Sequence, residues 1–329
     1  MRYFHEPNLL NKDNYTTSPL CKNIGLFDYC ANRSADSYFL NQLMYHSIYD
    51  DLIMFSYKYR LMASAGTLYY SRIKKHHNFT KFYEDFKIDF LELYSKNRYK
   101  ISENHPISQL IKIAKEINNG NCYYCGAYEI DSIDHFLPEG QEESKFEKYF
   151  PQLCVMSYNL IPSCVICNRK KFTHVGNFAA QTFIHPYFSK FLNDDFLQCE
   201  ASFDWTENTV VFTYSINPPP SWTLLNKKRL EWQFKRLDLP MRYSTKAFGN
   251  FKKLQQKFKE TLDMHGINGL FLELKSKIHS IDNYLGTNNW ESLMYFALIN
   301  NILDFKFFLE NIPSTPPRRY IAPLDVGKI

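Results

Sequence analysis

The chain contains no long run of uncharged apolar residues. No window of its 329 residues approaches the roughly 18 that a membrane-spanning helix needs, and residues 1–6 begin no apolar signal core. Internal repeats and low-complexity tracts are absent as well. These absences argue against a membrane partner, and we expect a soluble protein located in the cytoplasm.

The composition is that of a globular protein with many aromatic residues. Hydrophobic residues make up 45% and charged residues 22% of the chain, while aromatic residues reach 17%. Phe and Tyr supply most of them, enough to fill several small cores, so disorder as the main state is excluded. The length favours two or three compact units.

The eight cysteines do not suggest a disulfide framework, because such frameworks belong to small secreted chains. Four of them form two Cys-x2-Cys pairs, Cys122 with Cys125 and Cys164 with Cys167, separated by 38 residues. Two such pairs can close one tetrahedral zinc site, since each supplies two thiolates from a tight turn. The other four are expected to be ordinary thiols: Cys21, Cys30, Cys154 and Cys199.

The region before the cysteine pairs has the periodicity of helices. Aromatic residues recur at three- and four-residue steps within 79–94, and we interpret this stripe as core or a partner groove (Phe79, Phe82, Tyr83, Phe86, Phe90 and Tyr94). Similar spacing predicts helices near 44–63 and 107–117. The cluster 118–121 breaks the last one, so we predict a helical N-terminal region over 1–118 and a second unit over 119–192.

The region 193–329 is predicted to hold a hairpin followed by helices. Segments 201–205 and 209–216 are rich in β-formers and are joined by a short polar turn. A basic amphipathic helix is predicted over 224–239, ending before Pro240. Further helices are predicted over 244–263, 267–281 and 288–311.

Positive charge is concentrated in one part of this region. Residues 226–259 contain eleven Lys or Arg and two acidic residues, a net charge of +9, whereas the whole chain carries +5. Such a face suits a polyanion, with Lys227, Lys228 and Arg229 as candidate phosphate contacts. The alternative is an ordinary solvated helix surface.

Between the cysteine pairs lie residue types suited to phosphodiester hydrolysis. A histidine can take a proton from water near neutral pH, and Mg²⁺ prefers carboxylate and amide oxygens. Asp134 and His135 stand next to each other on an apparent strand that ends before Pro138. Strand alternation puts the two side chains on opposite faces unless the strand ends or bulges there.

These residues together resemble the motif of HNH endonucleases, the ββα-metal finger. The resemblance covers roughly a sixth of the chain, residues 122–171, which we call the finger. It is carried by the two cysteine pairs, by Ile133-Asp134-His135-Phe136-x-Pro138, and by Asn159-Leu160-x-Pro162-x-Cys164-x2-Cys167-Asn168-x2-Lys171. Here the third motif position is Asn168 rather than His.

The resemblance implies a role for each matched residue. His135 would be the general base, Asp134 and Asn168 would hold a catalytic Mg²⁺ or Mn²⁺, and Asn159 would brace the loop and orient His135. The four cysteines would hold structural Zn²⁺, because four thiolates leave no position for water. Arg169, Lys170 and Lys171 could touch phosphates or form a solvated helix face.

We therefore expect a mainly α protein with a small α+β insert, in which a zinc-stabilised HNH finger lies between helical N- and C-terminal regions. The expected function is a metal-dependent DNA endonuclease, and analogy suggests bacterial anti-phage defence or restriction. The alternatives are an RNase of the same fold and a zinc-stabilised module that binds nucleic acid or a partner without turnover. One finger cuts one strand at a time, so a double-strand break would need a homo-oligomer, two sequential nicks or a partner protein.

Overall fold

The computed structural model describes residues 48–68, 87–99, 111–112, 114–116, 119–139, 149–150, 153–176 and 178–312. Over these residues the protein is mostly helical, with two small antiparallel sheets of two strands each. The coarse prediction of a mainly helical chain with a small α+β insert is confirmed for these residues.

Two N-terminal helices pack against the finger. Helix α1 spans Ile48–Ala65 and buries Tyr59, and helix α2 spans Lys87–Tyr99 and buries Phe90 and Tyr94. The buried end of the predicted aromatic stripe is thus core. Its other members lie outside the described residues: Phe79, Phe82, Tyr83 and Phe86.

The finger contains two strands followed by a short helix. Strand β1, Ser132–His135, pairs antiparallel with β2, Leu160–Ser163, so that His135 lies opposite Leu160. Helix α3, Val165–Lys171, follows directly and contacts β1. Asp131, just before β1, accepts a hydrogen bond of 2.6 Å from the backbone N–H of Val165, which otherwise has no partner in the first turn of α3.

The predicted hairpin is confirmed, with a longer first strand. Strand β3 is Leu197–Asp204, beginning four residues before the predicted 201, and β4 is Thr209–Ile216 as predicted. The sequence did not indicate this start because Gln198 and Glu200 are weak strand formers. In the structure both side chains lie on the exposed face of β3, where buried and exposed residues alternate. The buried face of the hairpin contacts the C-terminal helices.

Four helices complete the chain: α4 Leu224–Arg236, α5 Leu239–Leu285, α6 Trp290–Asn300 and α7 Ile302–Glu310. Helix α4, predicted over 224–239, ends three residues earlier at Arg236, because Leu239 and Pro240 form the first turn of α5. The two helices predicted over 244–281 are one element with a break at Gly266, where φ is +67°. The single helix predicted over 288–311 is interrupted at Asn301 and forms α6 and α7.

One cluster of buried side chains extends through the N-terminal helices, the finger and the C-terminal helices, from Tyr59 to Leu309. The domain boundaries at 118 and 192 therefore stay predictions. Within the described part of the chain, no single helix has the length and apolar character to cross a membrane. The bent pair of α6 and α7, which meet at 86°, passes that test only when taken together.

Candidate metal centre and active site

The four cysteines of the two predicted pairs lie together in the interior. Their sulfur atoms are within 4.8 Å of one another, and the Sγ atoms of Cys125 and Cys164 are 4.0 Å apart. A tight turn holds the first pair, in which Gly126 N–H donates to Cys122 O at 2.7 Å. Cys164 is the N-cap of α3, so the second pair sits at a helix start.

This arrangement fits a zinc ion. In a tetrahedral site with Zn–S bonds of about 2.3 Å, the sulfurs are separated by roughly 3.8 Å, close to the spacing found here. Hydrogen bonds with Cys122, Cys125 and Cys167 lower the pKa of the Cys164 thiol, which favours the thiolate that binds metal, whereas burial raises the pKa of Cys122. Four buried cysteines can therefore hold a structural Zn²⁺, as the sequence predicted.

A guanidinium from outside the finger contacts three of these sulfurs. Arg242, in the first turns of α5, has Nη1 at 3.2 Å from Cys167 Sγ, and Nη2 at 3.5 Å from Cys164 Sγ and 3.8 Å from Cys125 Sγ. Burial disfavours its charge, but the neighbouring thiolates, Cys167 first, outweigh this effect and raise the pKa of Arg242.

His135 ends strand β1, and its ring is held on one side. Its Nε2 lies 2.8 Å from the backbone oxygen of Cys154 and 3.3 Å from a carboxylate oxygen of Glu139. The Tyr94 and His135 rings pack edge to face, with 4.6 Å between their centroids. A carbonyl oxygen only accepts hydrogen bonds, so Nε2 must carry the hydrogen. The lone pair of the neutral ring is therefore on Nδ1.

The side chain of Asp134 has different hydrogen-bond partners from that of His135. Its carboxylate is 3% exposed and accepts a hydrogen bond of 2.6 Å from the Tyr124 hydroxyl. Lys171 Nζ lies 3.1 Å from Oδ1 and 2.9 Å from Oδ2. Burial raises the pKa of Asp134, although Lys171 and Tyr124 act in the opposite direction.

Asn168 lies one helical turn before Lys171 on α3. Its side-chain Nδ2 donates to the backbone oxygen of Ile133 at 3.2 Å, which fastens the helix to β1. Asp134 and Asn168 are thus on contacting elements, as the motif implies. They do not fit a catalytic divalent ion in this arrangement, because both carboxylate oxygens of Asp134 are already bonded and an ammonium group lies beside them.

Asn159 is fully buried at the start of β2 and joins three segments. Its Oδ1 accepts from Leu137 N–H at 2.7 Å and its Nδ2 donates to Leu137 O at 2.8 Å, and a longer contact of 3.3 Å reaches Leu153 O. The Tyr59 hydroxyl of α1 also donates to Oδ1 at 3.1 Å. Asn159 therefore fixes the chain just after His135.

Comparison with known proteins finds a similar protein from a bacteriophage. Protein ea31 of Escherichia phage lambda is similar to this chain. The two are 26% identical over 264 residues, which covers 74% of this chain and 83% of the phage protein. No family model and no solved structure matches the chain. The finger occupies only residues 122–171, so the likeness to ea31 extends well beyond it.

Of the six basic residues predicted to contact phosphates, four have side chains at least partly exposed and two are buried. Arg169 and Lys228 are exposed, while Lys170 and Lys227 are half-buried. Lys170 lies 3.8 Å from Asp238, and Lys227 makes a long contact of 3.5 Å with Pro220 O. These four remain candidates for contact with nucleic acid.

Two of the predicted phosphate contacts are corrected. Lys171 is 0% exposed and Arg229 is 2% exposed, so neither presents its charge at the surface. The guanidinium of Arg229 donates to the backbone oxygens of Thr182 and Phe183 at 3.2 and 2.7 Å. It also packs on Gly66 at the end of α1, where a Cβ would lie 2.3 Å from Nη1.

Sequence reasoning missed the side chains that complete the site from a distance. These are Tyr59, Tyr94, Tyr124, Glu139 and Arg242. Glu139 follows His135 by four residues and could have been suspected from that spacing. Tyr94 was predicted only as part of the aromatic stripe. The others carried no local signal, because tyrosines are abundant in this chain and Arg242 stands among eleven basic residues.

Proposed function

We propose that the protein is an HNH-type endonuclease that hydrolyses phosphodiester bonds, with DNA as the expected substrate. Two facts of the finger support this proposal. Strand β1 ends in the Asp134-His135 pair, and β2 and α3 follow in the order that the motif implies. This order of two strands and a helix supports the proposal of an HNH finger over residues 122–171.

The observation that carries the proposal is the contact between His135 Nε2 and Cys154 O at 2.8 Å. A general base needs an unprotonated nitrogen directed at its water, and a fixed tautomer provides it. With Nε2–H donated to the Cys154 carbonyl, Nδ1 is the atom that would take the proton from water. The resulting imidazolium would be stabilised by the Glu139 carboxylate at 3.3 Å.

Asn159 is proposed to position this base. Its side chain bonds both backbone groups of Leu137, two residues after His135, and so ties Leu137 to the segment just before β2. These two hydrogen bonds hold the chain in place just after β1. The predicted role of Asn159 in orienting His135 is thus proposed to act through the backbone.

The requirement for Mg²⁺ or Mn²⁺ stays a prediction. A divalent ion supplies charge neutralisation in phosphodiester hydrolysis. For Asp134 to ligate such an ion, Lys171 would have to leave the carboxylate. A role in anti-phage defence or restriction likewise rests only on the resemblance of the finger.

A second candidate is a zinc-stabilised module that binds nucleic acid or a partner without turnover. The observation that favours it is the closed state of Asp134, whose two oxygens are held by Lys171 and Tyr124. In such a module the ion pair of Asp134 and Lys171 would serve only to join α3 to β1.

Cleavage assays separate the two candidates. The full chain would be incubated with supercoiled plasmid and with single-stranded RNA, in Mg²⁺, Mn²⁺ or excess EDTA. We expect nicking of DNA by the wild-type protein and by His279→Ala, an exposed histidine on α5, and not by His135→Ala. Cleavage of RNA alone would indicate the RNase alternative. Salt-sensitive binding without cleavage in any metal would favour the binding module.

A further inference from the structure

We infer that Arg242 is an outer-sphere partner of the zinc site, supplied to the finger by the C-terminal helix α5. Its guanidinium makes three contacts with the cluster, to Cys167, Cys164 and Cys125, at 3.2, 3.5 and 3.8 Å. Along the sequence, Arg242 is 75, 78 and 117 residues away from these three cysteines. The inference rests on the zinc site and is independent of the proposed nuclease activity.

The charge of the loaded site explains why a cation belongs there. Four thiolates and one Zn²⁺ carry a net charge of −2, and all four cysteines are buried. A buried uncompensated charge is costly, and polar partners around the ligands are part of a metal site. Arg242, itself only 7% exposed, reduces that net charge to −1.

The shape of the guanidinium matters as much as its charge. A planar fork directs several N–H groups at fixed angles, whereas an ammonium is a compact point charge. Here Nη1 bonds Cys167 Sγ and Nη2 reaches Cys164 and Cys125, so one side chain links both cysteine pairs. Nη1 also donates to Leu237 O at 3.1 Å, which holds the fork in place.

The neighbours of Arg242 on α5 bind the same part of the finger. The Tyr243 hydroxyl donates to Cys125 O at 2.6 Å, and Lys246 Nζ donates to Ala127 O. The Tyr128 ring lies between two cations, 4.7 Å from Arg242 Cζ and 4.8 Å from Lys246 Nζ. The first turns of α5 are therefore fastened to the first cysteine pair.

Metal binding and the docking of α5 should then depend on each other. If the docked helix strengthens zinc binding, bound zinc must strengthen docking by the same factor, because coupling between two binding equilibria is reciprocal. Arg242 is in this account a positioning residue for the metal ligands and not a ligand itself.

The test compares three variants of the full chain. Arg242→Gln removes the charge, Arg242→Lys keeps the charge but not the fork, and Arg236→Gln changes an exposed arginine of α4 as a control. Zinc content, the rate of zinc release to excess chelator, and the sulfur-to-metal charge-transfer bands of the Co²⁺-substituted protein are measured. Loss of an outer-sphere partner typically weakens metal binding about 10–100-fold.

We expect Arg242→Gln to release zinc about 10–100-fold faster and to shift the Co²⁺ bands, with Arg242→Lys intermediate and Arg236→Gln unchanged. Wild-type release and unshifted bands in folded Arg242→Gln would overturn the inference. If Arg242→Gln does not fold, Arg242→Lys decides: faster release with shifted bands supports the role of the fork, and wild-type behaviour overturns it.

Discussion

Lys171 and Asp134 form a buried ion pair that joins the end of α3 to the end of β1, with Nζ 2.9 Å from Oδ2. The same ammonium donates to the backbone oxygen of His135 at 2.8 Å. The Tyr124 hydroxyl completes the surroundings of the carboxylate. One lysine therefore holds both residues of the Asp134-His135 pair, one through its side chain and the other through its backbone.

Replacing Lys171 by Met should destabilise the protein severely. The substitution leaves the Asp134 carboxylate buried without its counter-charge, a change that typically costs about 3–5 kcal/mol. The measurement is the free energy of unfolding from urea denaturation. Lys170→Met is the matched control. Lys170 is partly exposed and its ion pair with Asp238 is long, at 3.8 Å, so its loss should change stability by less than about 1 kcal/mol.

A double-mutant cycle strengthens this test. Adding Asp134→Leu to Lys171→Met removes the stranded carboxylate and should recover much of the lost free energy. Equal stability of Lys171→Met and Lys170→Met would contradict the buried ion pair.

Asn159→Ala should both destabilise the finger and displace His135. It leaves Leu137 N–H and Leu137 O without their partners in the interior, at a cost of about 1–3 kcal/mol for each unsatisfied group. We expect the free energy of unfolding to fall by about 2–6 kcal/mol in urea denaturation. Asn301→Ala, which loses one partly buried bond to Ala297 O, serves as the comparison, and an equal loss in both variants would count against a special role for Asn159.

His185 should make stability depend on pH. Its ring accepts from Tyr187 N–H through Nδ1 and lies 3.1 Å from Tyr158 O through Nε2, so it is neutral. Burial lowers the pKa of His185 to about 3, with Arg229 and Lys171 acting in the same direction. The unfolded chain, with an ordinary pKa of about 6.5, binds more protons between these two values. Stability therefore falls as pH decreases from about 6.5 towards 3.

The variant His185→Gln isolates this effect. It does not titrate, so the difference in unfolding free energy between wild type and variant should shift by about 1.4 kcal/mol for each pH unit below 6.5. Acid loss of zinc affects both proteins and cancels in the difference. Parallel stability curves between pH 6.5 and 5 would show that His185 is not held neutral.

Removal of the metal should unfold the finger. Cys164→Ser takes away one of the four sulfurs, and we expect zinc content to drop and the thermal midpoint to fall, because zinc replaces much of the core of so small a unit. Cys199→Ser, a cysteine outside the cluster, should keep both. Zinc content is measured by elemental analysis and the midpoint by circular dichroism; full zinc in Cys164→Ser would refute the four-sulfur site.

The sequence predicts the local parts of this structure well and the distant contacts poorly. The cysteine pairs, the strand at 209–216 and the strand end near Asp134 follow from spacing and turn residues within a few positions. The partners of long cationic side chains do not, because burial of Lys171, Arg229 and Arg242 depends on which elements pack over them. A lysine following a motif and an arginine in a basic stretch have the same local pattern whether they face solvent or the core.

The most direct test of the account measures cleavage and metal content on the same sample of His135→Ala. The proposal separates the cysteines, which hold zinc, from His135, which would take a proton from water. It predicts wild-type zinc content in His135→Ala that is folded at the assay temperature, with nicking of supercoiled plasmid slowed about 10²–10⁴-fold, the usual contribution of a general base. Nicking at the wild-type rate by a zinc-loaded, folded His135→Ala would contradict it.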